Sequence, residues 1–190
     1  KIAQVAPLIE SVPPRLYGGT ERIVAYLTEE LVAQGHDVTL FASGDSITSA
    51  ELVPCCSQAL RLNPGVTDPI PYYMIMLDKV RQAASGFDVI HFHIDQFHFP
   101  IFRDIARQTV TTLHGRQDLT DLMALYAAFP EMPLVSISRA QTDPLPEDAC
   151  FATVLHGLPS DLLAPVDPGA SRAMAEEDAE GEEDGELELA

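Results

Sequence analysis

The chain has 190 residues, of which 46% are apolar, and a formal net charge of −18. A chain of this length can bury a sizeable core as one domain. So negative a charge argues against binding to nucleic acid and to anionic membrane surfaces. No apolar run is long enough for a transmembrane helix, and no secretory leader pattern opens the chain. Three cysteines without metal-ligand spacing favour a reducing compartment, and we expect a cytoplasmic protein.

The negative charge is unevenly spread along the chain. Residues 167–190 contain ten acidic residues and one base, so they carry half of the net charge. We predict a folded domain over residues 1–163 and an acidic, disordered tail over residues 164–190. The tail is rich in Ala, Gly, Glu and Asp, and it cannot bury enough apolar surface to offset its chain entropy. Its composition fits a native solubilising segment and equally the product of a frameshift in GC-rich DNA.

The folded part begins with a strand–helix–strand pattern. The apolar run 2–6 predicts a buried strand, and residues 7–17, with three prolines, predict an irregular connection. Apolar residues then recur at helical spacing over 20–34, and Gly35 is a residue that ends a helix at low cost. A second strand is predicted at 37–42. We expect the resulting βαβ unit to be right-handed.

The same alternation continues to residue 156. Further strands are predicted at 51–56, 87–93, 110–114, 133–138 and 152–156. Helices are predicted at 72–84, 97–107, 118–128 and 138–142, and a loop is predicted at 57–71. Strands that alternate with helices predict an α/β fold with a mostly parallel sheet.

A pair of glycines precedes the first predicted helix. Gly18, Gly19 and Thr20 stand where the unpaired N–H groups and the positive end of a helix dipole favour an anion. Glycines there would let a phosphate or carboxylate approach the backbone. The alternative is a simple glycine turn with Thr20 as the helix cap. The dinucleotide fingerprint G-x-G-x-x-G is absent, so we do not expect NAD.

Three histidines lie on or near the predicted strand 87–93. His91 and His93 flank Phe92, so their side chains point to the same side of the strand, and His98 follows. Neutral imidazoles in a cluster can ligate a transition metal. No acidic or cysteine ligand has supporting spacing, however, and strand-end histidines commonly hydrogen-bond to the backbone. We therefore predict no metal site.

Another histidine ends the predicted strand 110–114. His114 is followed by Gly115 and Arg116. A histidine at the carboxyl end of a strand can orient a substrate hydroxyl or donate to a developing charge, and Arg116 could pair with an anionic ligand. The alternative is a structural strand-end histidine. No G-x-S-x-G, H-E-x-x-H or Walker motif is present.

Four segments in order resemble the N-terminal domain of the retaining glycosyltransferases of family 4. They are KIAQVAPLIESVPPRLYGGTERIVAYLTEELVAQGHDVTLFASGDS, DVIHFH, TVTTLHG and VSISRAQ. The similarity extends over about residues 1–163. It implies a Rossmann-like sheet with helices on both faces, which is one half of a GT-B architecture of two such domains facing a cleft.

The resemblance also implies a function and a set of site residues. The family transfers a sugar from a nucleotide-sugar donor to an acceptor with retention, the N-terminal domain holding mostly the acceptor. By this analogy His114 is the catalytic residue near the transferred sugar, and no metal or cofactor is needed beside the nucleotide-sugar co-substrate. The expected substrate-binding residues are Gly18, Gly19, Thr20, His93, Gly115 and Arg116.

Two motifs of the family's donor-binding domain are missing from this sequence. The G-R-x-x-x-x-K-G segment is absent, and the spacing E-x7-E occurs at Glu21 and Glu29 on the first predicted helix and at Glu180 and Glu188 in the tail, neither after a donor-domain strand. We therefore expect the chain to be inactive alone. Two other functions stay open: a non-catalytic module that binds an acceptor or a partner, and a fragment of a sugar-nucleotide epimerase.

Overall fold

Seven strands form one sheet in the computed structural model, which describes residues 1–146, 149–160 and 162. They are β1 (Ile2–Val5), β2 (Val38–Ser43), β3 (Glu51–Cys56), β4 (Val89–Phe92), β5 (Thr109–Thr112), β6 (Leu134–Ser136) and β7 (Cys150–Thr153). Their order is β3-β2-β1-β4-β5-β6-β7, and each neighbouring pair is parallel. This confirms the predicted α/β fold.

The helices follow the predicted positions with local differences. They are α1 (Gly19–Ala33), α2 (Ile70–Ala83), α3 (Phe99–Phe102), α4 (Thr120–Ala128) and α5 (Arg139–Thr142). The predicted helix 97–107 is instead one α-helical turn, α3, followed by a 3-10 segment, Arg103–Gln108. Ile105, with φ −119° and ψ 26°, is non-helical and forms a kink inside this 3-10 segment.

Helices pack on both faces of the sheet, as the Rossmann-like expectation requires. On one face, Leu40 and Ala42 of β2 share an apolar cluster with Val24 of α1. On the other face, Phe41 joins a larger cluster with Met76 of α2. The side chains of alternate residues of β2 therefore point to opposite faces of the sheet, and all six residues of the strand are buried.

The long connection after β1 is fixed by hydrogen bonds to distant segments. Leu8 N donates to the Tyr73 hydroxyl at 3.1 Å, and Val12 N donates to Ser46 Oγ at 2.9 Å. The carbonyl of Leu8 accepts from Leu60 N at 2.9 Å. Because the buried backbone groups of this irregular segment have partners, the segment packs into the fold without a helix or strand of its own.

An ion pair between a buried glutamate and a half-exposed arginine completes this anchoring. Glu10 is 1% exposed, and its Oε1 lies 2.8 Å from Nη1 of Arg61. The same Arg61 nitrogen donates to the carbonyl of Tyr17 at 3.2 Å. Arg61 thus holds two points of the connection, the second of them directly before Gly18.

The chain divides after Gly157. Among the described residues beyond that point, Leu162 N donates to the carbonyl of Pro159 at 3.1 Å. The tail predicted to be disordered, 164–190, lies outside the described residues. In the described ranges, no helix combines the length and the apolar character that crossing a bilayer requires.

His98 belongs to the core of the sheet. Its ring stacks on Phe92 with 3.7 Å between ring centroids, and its Nε2 lies 2.9 Å from Oγ1 of Thr111. The side chain is fully buried, and burial lowers the pKa of His98 to about 3. The imidazole is therefore neutral in the folded protein over the physiological pH range.

We expect His98 to make stability depend on pH. Its pKa is about 3 in the folded state and ordinarily 6.5, so only the unfolded state takes up a proton between these values. The stabilisation is complete above pH 6.5 and is lost as the pH falls toward 3. His98→Gln should reduce the slope of unfolding free energy against pH by ~1.4 kcal/mol per pH unit between these limits. Urea denaturation at a series of pH values measures this slope, and an unchanged slope contradicts the neutral assignment.

Candidate functional site

The predicted site residues lie at one edge of the sheet. Gly18 and Gly19 stand at the end of the connection that follows β1. His93 directly follows β4, and His114 comes two residues after β5. The carboxyl ends of the parallel strands meet here, and β1 lies between β2 and β4, so the strand order reverses at this point. Open α/β sheets bind ligands in the crevice at such a reversal.

An open cleft of about 570 Å³ lies at this edge. Its wall contains Gly18, Gly19 and Thr20 from the start of α1, together with His114 from the end of β5. The fold therefore brings two of the predicted motifs into one site, although they are distant in sequence.

The start of α1 offers backbone donors to this cleft. The carbonyl of Gly18 accepts from Arg22 N at 3.1 Å, and no side chain caps the helix. The first N–H groups of α1 therefore have no partner within the helix. Thr20 lies inside the first turn, so the alternative in which Thr20 is the cap is wrong: the N-cap residue is Gly18.

The two glycines differ in what surrounds them. A Cβ atom at Gly18 would lie 2.9 Å from both Pro14 Cβ and Glu21 Oε2, whereas a Cβ atom at Gly19 would meet no atom within 4 Å. Gly18 is thus required by packing within the protein. Gly19 faces open space, which a ligand could occupy.

His114 is a neutral group in the cleft wall. Its Nε2 lies 2.9 Å from Nδ1 of His93, and its ring centroid is 5.1 Å from that of His156. Burial, more than the neighbouring histidines, lowers the pKa of His114 to about 3. The ring can therefore exchange hydrogen bonds with a ligand at neutral pH but carries no charge to attract an anion.

His93 is buried behind this ring. It is 2% exposed, and its Nε2 lies 2.8 Å from Oε1 of Gln4. Both of its nitrogens therefore already have protein partners. The rings of His91 and His93 are 4.1 Å apart, which confirms that they share one side of β4.

The three histidines considered for a metal do not converge. Nε2 of His91 lies 2.8 Å from Oγ1 of Thr112, and His98 lies on the opposite side of β4 against Phe92. Over the described ranges, no group of three or more His, Cys, Asp or Glu side chains is arranged to hold a metal ion.

Gly115 and Arg116 begin the loop after His114. The carbonyl of Gly115 accepts from the side-chain amide of Gln141 at 2.8 Å. The exposed guanidinium of Arg116 donates two hydrogen bonds to Asp118, of 2.9 and 2.7 Å. The fork that was expected to meet an anionic ligand is therefore paired with a carboxylate of its own loop.

Arg61 and His156 are among the cleft residues that the sequence analysis missed. Arg61 comes from the loop between β3 and α2, where nothing in the local sequence marks it. His156 follows β7 and is itself followed by Gly157, which repeats the strand–His–Gly pattern of His114 and Gly115. This repeated pattern in the sequence could have identified His156 as a residue of the cleft.

An acidic side chain also borders the cleft. Glu21 lines it from the first turn of α1 and is 6% exposed. Burial raises the pKa of Glu21, and the nearby carboxylate of Glu10 acts in the same direction. Arg61 is paired with Glu10, whereas the exposed Arg22, which also lines the cleft, contributes a positive charge.

The parallel sheet and the cleft at its carboxyl edge define a Rossmann-like domain. The chain belongs to Glycosyltransferase Family 4, whose sequence model matches residues 17–140. This confirms the family indicated by the sequence. Among solved structures, the chain is similar to AviGT4, a glycosyltransferase involved in avilamycin A biosynthesis, with 23% identity and a TM-score of 0.48. The match covers 93% of this chain and 45% of that one, so the chain spans less than half its length. The curated proteins contain no match.

The surroundings of the two glycines predict opposite responses to substitution. Gly18→Ala should lower the free energy of unfolding by about 1–3 kcal/mol, because the new methyl group collides with Pro14 and Glu21. Gly19→Ala is the matched control and should change it by less than about 0.5 kcal/mol. Chemical denaturation measures both values. Equal effects of the two substitutions would contradict the described start of α1.

Proposed function

We propose that this chain is the acceptor-side domain of a retaining glycosyltransferase. The reaction transfers a sugar from a nucleotide-sugar donor to a sugar or small-molecule acceptor. The observation that carries the proposal is the meeting of the open start of α1 and the neutral His114 in one cleft of a Family 4 domain. One wall offers donors for an anionic group, and the other offers a group suited to hydroxyls.

The start of α1 would hold the donor diphosphate or a polar group of the acceptor. The free N–H groups at Gly19 and Thr20 and the helix dipole favour negative charge, and the open space at Gly19 permits close approach. Arg22, which lines the cleft beside these groups, would add a positive charge, whereas Arg61 is already paired with Glu10. As the sugar leaves the diphosphate, these donors would stabilise the developing charge.

His114 would act on the other side of the reacting bond as the catalytic residue. A neutral imidazole can bind a sugar hydroxyl and hold the ring in position for attack by the acceptor. His93 would act through it. Gly115 and Arg116 would border the substrate, with Arg116 exchanging Asp118 for an anionic group when one is bound.

The proposal requires a second, donor-binding domain for turnover. One wall of a cleft cannot exclude water and position both reactants, which is a large part of catalysis. We therefore propose that the chain is inactive alone and that no metal ion or further cofactor takes part. The cysteines Cys55, Cys56 and Cys150 are free, which supports a cytoplasmic location.

A partner-binding module is the second candidate function. Phe151, Val154 and Leu155, on and just after the edge strand β7, are all exposed. Apolar side chains grouped at the edge of a sheet favour contact with another protein surface. In this alternative the chain would bind an acceptor or a partner without transferring a sugar.

A transfer assay tests the reaction and the role of His114. The chain is joined to a donor-binding domain of the same family and supplied with nucleotide sugars and alcohol acceptors. We expect His114→Ala to lower kcat about 10²-fold, because a group that acts in the transition state is lost. His36→Ala replaces an exposed histidine outside the cleft and should keep full activity.

Each result of this assay has a defined meaning. Full activity of His114→Ala removes His114 from the catalytic site. Turnover by the 190-residue chain alone contradicts its proposed inactivity. A product of inverted anomeric configuration, read by NMR, contradicts retention, and an epimerised nucleotide sugar without transfer favours the epimerase.

Inorganic pyrophosphate tests the start of α1 in the chain as it exists. In a ¹⁵N-labelled sample we expect pyrophosphate to shift the backbone amide signals of Gly19 and Thr20, whereas sodium chloride of equal ionic strength should not. Gly19→Val should abolish the shifts by filling the open space. Gly86→Val is the matched control, since Gly86 also has no atom within 4 Å of a Cβ but lies outside the cleft. Shifts that survive Gly19→Val would refute the proposed contact.

A further inference from the structure

Three side chains form a hydrogen-bonded line from the centre of the sheet to the cleft. Oε1 of Gln4, in β1, lies 2.8 Å from Nε2 of His93. Nδ1 of His93 lies 2.9 Å from Nε2 of His114, which belongs to the cleft wall. Gln4 is fully buried and His93 is 2% exposed, so water does not compete for the inner part of this line.

The direction of each hydrogen bond follows from the first one. In the orientation of the Gln4 amide in the structure, its oxygen faces His93 and can only accept, so Nε2 of His93 carries the proton, and Nε2 of Gln4 is left without a partner among the described residues. The neutral ring has a single N–H group, so Nδ1 of His93 is bare and accepts from Nε2–H of His114. The proton of His114 is then on Nε2, and its Nδ1 is left with a lone pair.

That lone pair has no use within the described protein. Nδ1 of His114 has no hydrogen-bond partner among the described residues and is shielded from solvent. A buried acceptor without a partner lowers stability, and a ligand that donates a hydrogen bond removes this loss. The ring is also neutral, because burial lowers the pKa of His114 to about 3, so a bound proton does not compete for the nitrogen.

We propose that Gln4 and His93 are positioning residues that hold His114 in its Nε2–H tautomer and so reserve Nδ1 for a hydrogen-bond donor on the substrate. Because Nδ1 has no exposed surface in the structure, the donor reaches it as the cleft wall adjusts on binding. Given the proposed function, that donor is a hydroxyl of a sugar or of an alcohol acceptor. The line has a consequence for specificity. A carboxylate or carbonyl oxygen placed against Nδ1 would be repelled, because both atoms are hydrogen-bond acceptors and neither carries a proton. The site therefore selects hydroxyl groups and rejects substrates with an acceptor at that position.

The neighbouring pair His91 and Thr112 provides a built-in comparison. Nε2 of His91 lies 2.8 Å from Oγ1 of Thr112, and the His91 ring is 4.1 Å from that of His93. This pair is close to the line but does not belong to it. A change there perturbs the surroundings of His93 without removing a hydrogen bond of the line.

The tautomers can be read directly in the full chain without any ligand. Long-range ¹H–¹⁵N correlation spectra of ¹⁵N-labelled protein at neutral pH distinguish protonated from bare ring nitrogens. We expect His93 and His114 both to be protonated on Nε2 and bare on Nδ1. Protonation of His114 on Nδ1 in the unmodified chain would overturn the proposal, as the line would then run in the opposite direction.

Two substitutions test whether Gln4 sets this state. Gln4→Leu removes the acceptor, and the new side chain can pack beside Leu40, the register partner of Gln4 in β2. We expect the His93 and His114 ring signals to move toward the average of the two tautomers. Thr112→Val is the control and should leave the His114 signals in place. Unchanged His114 signals in Gln4→Leu, or an equal change in Thr112→Val, would overturn the proposal.

The measurement separates this inference from the proposed function. It uses neither donor nor acceptor, so an absence of sugar transfer leaves its result intact, and a failed tautomer test leaves the transfer assay intact. Where Gln4→Leu does not fold, Gln4→Met offers a second apolar replacement, and the spectrum of the unmodified chain decides the direction of the line by itself.

Discussion

The parallel alignment of the strands is the constraint on which the site depends. Because the seven described strands run in one direction, every strand ends at the same edge, and the segments that follow the strands are brought together there. Gly18, His114 and His156 meet by this geometry and not by closeness in sequence. The long connection after β1 is held in place because its backbone groups are bonded to Tyr73 of α2 and to Ser46 instead of to solvent.

The cleft combines the positive end of α1 with the neutral His114, and its ionisable side chains Glu21, Arg22 and Arg61 are of both signs. Burial keeps His91, His93 and His114 neutral, and the pairing of Arg61 with Glu10 largely neutralises the arginine. In a strongly acidic chain, such a surface avoids a concentrated charge that would bind anions indiscriminately. The ligand is then selected mainly by directional hydrogen bonds.

The sequence allowed most of the fold to be predicted and only part of the site. Apolar and β-branched runs marked every described strand, and the edge strands β3 and β7 are less buried than the inner strands, but β7 begins at Cys150, earlier than the predicted 152. Its limits depend on pairing with β6, which no local pattern reveals. Likewise, Gly18 and His114 carry local motifs, whereas Arg61 and Gln4 gain their roles only through contacts across the fold.

The central position of β1 affects how the protein folds during its synthesis on the ribosome. This strand pairs on one side with β2, which follows soon after it, and on the other with β4, more than eighty residues later in the chain. During translation of the intervening segment, β1 keeps one row of backbone groups unmatched. A nascent chain with an unpaired strand edge can pair with neighbouring nascent chains on the same polysome. Slow synthesis between these two strands would therefore lengthen the time for which this edge is open to such pairing.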